Sequence, residues 1–201
     1  MCTVGCKEVF TVSLILASGS PRRRLLLESL GLKFEVIPPP GEERIAVGDD
    51  PCRAAESLAR QKARGVSAVV PPSIILAADT IVVRDGEIMG KPRDREDAVA
   101  MLRRLSGRGH QVVTGVCLLD MVGRRELVES EVTTVYFRQL SELEISRYVD
   151  SGEPFDKAGG YGIQGLGGVL VSRIEGCFYN VVGLPLSKLQ EMLQSLGLSL
   201  L

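Results

Sequence analysis

Apolar residues fall along this chain in short blocks, and the blocks alternate between two periodicities. Residues 13–17 (Ser-Leu-Ile-Leu-Ala) read as a short apolar strand. Ser20-Pro21 then marks a helix start, with serine as N-cap and proline in the first turn. The helix carries Leu25, Leu26, Leu27 and Leu30 and stops at Gly31. A second strand over 34–37 ends at Pro38-Pro39-Pro40, and a polar loop with Glu42 and Glu43 follows. From Pro51 to about residue 66, Ala55, Leu58, Ala59, Lys62 and Val66 fall on one side of a helix. Residues 74–83 are a long apolar run interrupted by Asp79-Thr80, and Asp85-Gly86 is a hairpin signal. Asp94 caps a helix with Ala98, Met101, Leu102 and Leu105; strands over 111–119 and 127–137 pair through a turn at Gly123. Ser141 and Glu144 form a capping box opening a helix to about residue 150. A glycine-rich segment, a strand near 169–174 and a last helix over 185–196 complete the chain. Alternating strands and helices, with hairpins in the second half, predict an α/β fold: a mixed central sheet flanked by helices.

The 201 residues suit one domain over 13–201, preceded by a variable extension over 1–12. A net charge of -1 and an aromatic content of 4% without Trp argue against a nucleic-acid partner. Any anion site must therefore be local. Five scattered cysteines without a CxxC pair favour a reducing, cytoplasmic setting over a disulfide framework or zinc site. The apolar run over 8–17 is short and poorly preceded by positive charge, so no signal peptide is expected. No run reaches the roughly 18–20 residues of a membrane span. The sequence leaves both a monomer and a homodimer open.

Two loops carry the chemistry. Ser18-Gly19-Ser20-Pro21-Arg22-Arg23 leads a strand into a helix start, where free N–H groups and the helix dipole suit an anion. Arg22 adds a planar fork, and the alternative is a capped helix whose arginines are solvated. Asp156-Lys157-Ala158-Gly159-Gly160-Tyr161-Gly162-Ile163-Gln164-Gly165 puts a carboxylate, an ammonium, four glycines and an amide within ten residues. Between them, Asp79 stands in an apolar run, where an ionised side chain is costly unless it is paired or serves a ligand. The alternative is that Asp79 ends one strand before a second begins. Lys62 lies on the apolar side of its helix, where snorkelling outward is the ordinary outcome. Lys91 occupies a constrained loop after the hairpin, Glu43 a polar loop, and Gln164 could meet a base edge through its amide. His110, the one histidine, reads as structural, and Thr80 and Thr114 as ordinary strand residues. Walker A spacing is absent. Carboxylates, lysines, arginines and a helix N-terminus, with no evident covalent nucleophile, fit metal-assisted attack of water on a phosphoanhydride.

Six blocks in order carry a resemblance over about residues 14–196: Leu16-Ala17-Ser18-Gly19-Ser20-Pro21-Arg22-Arg23; Leu76-Ala77-Ala78-Asp79-Thr80; Gly90-Lys91-Pro92; Leu105-Ser106-Gly107 with His110 and Thr114-Gly115-Val116; the Asp156–Gly165 segment; and Asn180-Val181-Val182-Gly183-Leu184-Pro185. The chain resembles the Maf family of nucleoside triphosphate pyrophosphatases. That resemblance implies a fold similar to inosine triphosphate pyrophosphatases, with two lobes around a cleft. It implies hydrolysis of a nucleoside triphosphate to the monophosphate and pyrophosphate with a divalent cation, Mg²⁺ or Mn²⁺. On the matched positions, Asp79, Lys62 and Lys91 would be catalytic and Asp79 and Glu43 would hold metal. Ser18, Arg22, Thr80 and Gln164 would bind substrate. Arg22, Thr80 and Gln164 together resemble the subfamily acting on dTTP and UTP, as opposed to a sister subfamily acting on 7-methyl-GTP. House-cleaning of nucleotide pools is the implied role. A nucleotide-binding regulator of septum formation without significant turnover is the alternative. Two positions depart from the family pattern: Gln61, where Glu is commoner, and Gly41-Glu42-Glu43, where a richer acidic run is commoner.

Overall fold

The computed structural model describes residues 13–41 and 50–200. The extension over 1–12 and the loop with Glu42 and Glu43 lie outside the described residues. Seven strands form one sheet: β1 (Leu14–Ala17), β2 (Glu35–Val36), β3 (Ile74–Arg84), β4 (Glu87–Met89), β5 (Gly109–Asp120), β6 (Arg125–Phe137) and β7 (Val171–Glu175). Their order is β2-β1-β3-β5-β6-β7, with β4 also beside β3. The β2, β1 and β3 strands run parallel, and β3, β5, β6 and β7 are successively antiparallel. The sheet is mixed, as the alternation of elements predicts.

Helix α2 (Pro51–Ser67) covers one face; its Ala59, Ala63 and Val66 pack on Ile15, Ile75 and Cys117. Helices α1 (Pro21–Ser29) and α6 (Leu186–Ser195) cover the other face, over Leu14, Leu76 and Val116. Helices α3 (Arg95–Leu105) and α4 (Glu142–Asp150) build a separate cluster with Val135, Phe137 and Tyr161. Cover on both faces explains why β3 and β5 are apolar at successive positions on either side of Asp79-Thr80 and Thr114-Gly115. The Asp85-Gly86 turn, the Asp94 cap and the Ser141/Glu144 capping box stand where the sequence predicts them.

Several local readings need correction. The second strand shrinks to two residues, Glu35 and Val36; Ile37 N–H still donates to Leu16 O at 3.1 Å, and Pro38, with no N–H, cannot extend the ladder. Leu25 and Leu30 are exposed, while Arg23, Leu26 and Leu27 face inward. Ser20 occupies the N-cap, but its hydroxyl makes no cap bond; its N–H donates to Ser18 Oγ at 3.1 Å. A short helix α5 (Phe178–Val182) comes after β7 without any apolar period long enough to announce it.

Candidate active site

Asp79 sits inside one continuous strand, flanked by a gap in the sheet that neither sequence alternative includes. Strand β5 accompanies β3 along one edge, with Asp79 opposite Gly115. On the other edge β1 pairs only with residues 74–77 and β4 only with 82–84. Residues 78–81 therefore have a strand neighbour on one side alone. A polar side chain there need not enter the packed core. Alternation sends Asp79 and Thr80 to opposite faces of the sheet. The open edge lets both reach a single cleft of about 480 Å³.

On the α2 face, Lys62 does not snorkel outward. Its Nζ donates to Asp79 Oδ1 at 2.5 Å, and the two side chains are only 13% and 17% exposed. The reach depends on how closely α2 lies on the sheet. A Cβ on Gly115 would stand 2.2 Å from the Ala55 carbonyl oxygen, so only glycine lets the helix backbone come so near. On the other face, Arg23 is buried with its guanidinium spread over Gly183 O (2.7 Å), Ser18 Oγ (3.2 Å) and Thr80 Oγ1 (3.0 Å). Thr80 and Thr114 hydroxyls are 2.9 Å apart, and Thr114 donates to Asn180 O at 3.0 Å.

The glycine-rich segment forms the third wall. Two short 3-10 turns, Ala158–Gly160 and Gly165–Leu170, wind it tightly. Gly159 has φ +68°, and a Cβ there would press on Val82 at 2.9 Å; its N–H donates to Gly90 O at 2.9 Å, tying the wall to the Lys91 loop. Several of these glycines are thus required by the path of the chain itself. Asp156 accepts from Arg22 Nη1 at 3.4 Å and from Lys157 Nζ at 2.5 Å. Partial burial pushes the Asp156 carboxyl up, but Lys157 and Arg22 outweigh it and hold the group below its ordinary range.

Ser18, Arg22, Lys62, Asp79, Thr80, Lys91 and Gln164 all line this cleft, so residues far apart in sequence meet at one place. Glu43 lies outside the described residues. Gln61, one of the departures, is exposed and does not line the cleft. Arg23, Asp156 and Lys157 line it as well; the sequence marked the two loops that carry them but assigned none of the three an individual role. For Arg23 a signal exists: it precedes the buried Leu26 and Leu27 by three and four residues, on the same helix face. A Cβ on Gly19 would meet no protein atom within 4 Å, which leaves that side of the loop clear for a ligand.

Among the described residues no three His, Cys, Asp or Glu side chains gather as a metal cage. The cleft does fit a hard cation held in the usual manner of Mg²⁺, by one or two carboxylates with the remaining positions filled by water and substrate phosphates. Asp79 has the oxygen for it, since its one hydrogen bond among the described residues runs through Oδ1. No helix among the described residues is long and apolar enough to cross a membrane.

His110 is structural, as the sequence suggests. It is buried against Phe137 and Tyr161, with Nε2 2.7 Å from the Tyr161 hydroxyl and no partner for Nδ1 among the described residues. Burial, helped by the Arg84 charge, pushes the imidazole down to about 4. The folded protein keeps the ring neutral where the unfolded chain would already take up a proton. Stability is therefore complete above about pH 6.5 and is lost as pH falls through the window from about 6.5 to 4. Denaturant titrations should find about 2 kcal/mol less stability at pH 5 than at pH 7 from this group alone. His110→Gln should remove that difference. An identical pH response in the variant would show that other groups carry it.

A family model for Maf-like proteins matches residues 13–196. The chain is similar to a dTTP/UTP pyrophosphatase of Syntrophomonas wolfei, at 52% identity over 186 residues, covering 92% of this chain and 98% of that protein. It is 53% identical over 184 residues to a dTTP/UTP pyrophosphatase of Symbiobacterium thermophilum, covering 92% of this chain and 94% of that one. Among solved structures, the Staphylococcus aureus Ham1 protein matches with a TM-score of 0.46 at 14% identity over 79% of each chain.

Proposed function

The chain belongs to the Maf-like family, and from that premise we propose that it hydrolyses nucleoside triphosphates, dTTP and UTP foremost, to the monophosphate and pyrophosphate. The observation that carries the reading is the Lys62–Asp79 pair in a cleft also lined by Ser18, Arg22, Lys91 and Gln164. The names of the relatives at 52% and 53% identity support the choice of nucleotide.

The triphosphate carries several negative charges into a confined space, and catalysis of phosphoryl transfer rests mostly on positioning and on offsetting that charge. Arg22, Lys62 and Lys91 supply the cations. The Ser18 hydroxyl and the free N–H groups at the start of α1 supply neutral donors. Asp79 holds Lys62 through Oδ1, and its carboxylate orients the attacking water and takes its proton as it attacks the α-phosphorus. Mg²⁺, when bound, offsets phosphate charge, with Asp79 as the described side chain that would hold it. Gln164 presents both a donor and an acceptor, the complement of a pyrimidine edge with carbonyl and N–H groups. Restraint of modified or excess nucleotides is the physiological role we assign.

Pyrophosphate release from dTTP, UTP, CTP, GTP, 7-methyl-GTP and ITP tests this, with Mg²⁺ and then with EDTA. Release from dTTP and UTP that EDTA abolishes is the expected result. Preference for 7-methyl-GTP would keep the chemistry and discard the base assignment. Binding of dTTP without release from any substrate would replace the enzyme with a nucleotide-binding regulator.

A further inference from the structure

The hydrogen bonds around Arg23 determine where the protons of two cleft hydroxyls go. A backbone carbonyl can only accept, so Thr114 commits its single proton to Asn180 O, 3.0 Å away. The 2.9 Å contact between Thr114 Oγ1 and Thr80 Oγ1 must then use the Thr80 proton. One lone pair of Thr80 is taken by Arg23 Nη2 at 3.0 Å. Across the guanidinium, Ser18 Oγ accepts twice, from Ser20 N–H at 3.1 Å and from Arg23 Nη1 at 3.2 Å. With both lone pairs engaged, its proton remains for a ligand. Nε donates to Gly183 O at 2.7 Å, so the planar fork is held at three corners inside a buried site.

We propose that Arg23 is a positioning residue that sets these two hydroxyls in opposite senses. Ser18 faces the substrate as a donor, suited to a phosphate oxygen. Thr80 has no proton left for the substrate, and its task is to brace Arg23. It therefore cannot donate to a pyrimidine carbonyl, and discrimination between uracil or thymine and cytosine does not pass through a proton given by Thr80. This rests on the pyrophosphatase reading, and wild-type release of pyrophosphate from dTTP is its precondition. Failure of that wild-type assay sinks the pyrophosphatase reading itself, whereas the Arg23 proposal fails only on the variants.

The test is kcat/KM for dTTP, UTP and CTP in Thr80→Ser, Thr80→Val, Ser18→Ala, Arg23→Lys and the Ser18→Ala/Arg23→Lys double variant, with Gln164→Ala as the reference for lost base reading. Thermal unfolding confirms that each folds, and Thr80→Ala replaces Thr80→Val if the latter does not. Thr80→Ser, which keeps the hydroxyl, should retain activity within about threefold. Thr80→Val should lose about tenfold, the scale of one hydrogen bond to a charged group, equally on all three nucleotides. Arg23→Lys should lose at least as much, because a point charge cannot hold three acceptors in one plane. The double variant should be no worse than its more severe single, since both changes remove the same donor. A tenfold change in the dTTP-to-CTP ratio in Thr80→Val would overturn the proposal, as would fully additive losses in the Ser18/Arg23 pair.

Discussion

Asp79→Asn is expected to lower turnover of dTTP by about 10²-fold or more, the ordinary scale of general-base assistance. Asparagine matches aspartate in size, and its amide oxygen can still accept from Lys62, so the variant should fold. What it loses is the negative charge beside Lys62 and the capacity to take a proton from water. The loss should fall on kcat more than on KM, because the triphosphate is held by cations elsewhere in the cleft. Pre-steady-state and steady-state pyrophosphate assays on the folded variant decide it. Full turnover would remove Asp79 from the chemical step, and a rise in KM at unchanged kcat would make it a binding group alone.

Gly115→Ala is expected to cost about 3 kcal/mol or more, at the upper end of overpacking effects. The added Cβ would meet the Ala55 carbonyl oxygen at 2.2 Å and the Glu56 nitrogen at 2.5 Å, both backbone atoms of α2 that no rotamer change can move aside. The helix must shift as a body. Such a shift withdraws Lys62 from Asp79, which stands opposite Gly115 in the ladder. Activity should therefore fall even at temperatures where the variant is folded. Urea denaturation compared with wild type, together with kcat at low temperature, separates the two effects. A wild-type unfolding midpoint would mean that α2 can yield at no cost and that its close seating does not position the site.

Much of the site is legible one residue at a time. The helix start at Ser20-Pro21, the carboxylate within an apolar run at Asp79 and the lysine on an apolar helix face at Lys62 each break the local pattern in a way that burial cost makes conspicuous. Arg23 is legible in principle, from its spacing to Leu26 and Leu27, but stands in a run of three arginines in which no composition argument separates one from the next. Asp156 and Lys157 lie in a segment most conspicuous for its glycines. That Asp156 pairs with both Arg22 and Lys157 needs the fold, since 134 residues separate Arg22 from Asp156.

By itself the sequence determined the strand and helix periodicities, the caps and turns, and the kinds of charged groups available, because these depend on neighbours within a few residues of one another. Only the tertiary structure decided that β1 and β4 stop short along one edge of β3, and that this gap lets side chains from both faces of the sheet share a cleft. It also decided which way Lys62 points and where the Thr80 proton goes. Those outcomes turn on backbone approach at Gly115 and on hydrogen bonds between residues more than thirty positions apart, and no local pattern encodes either.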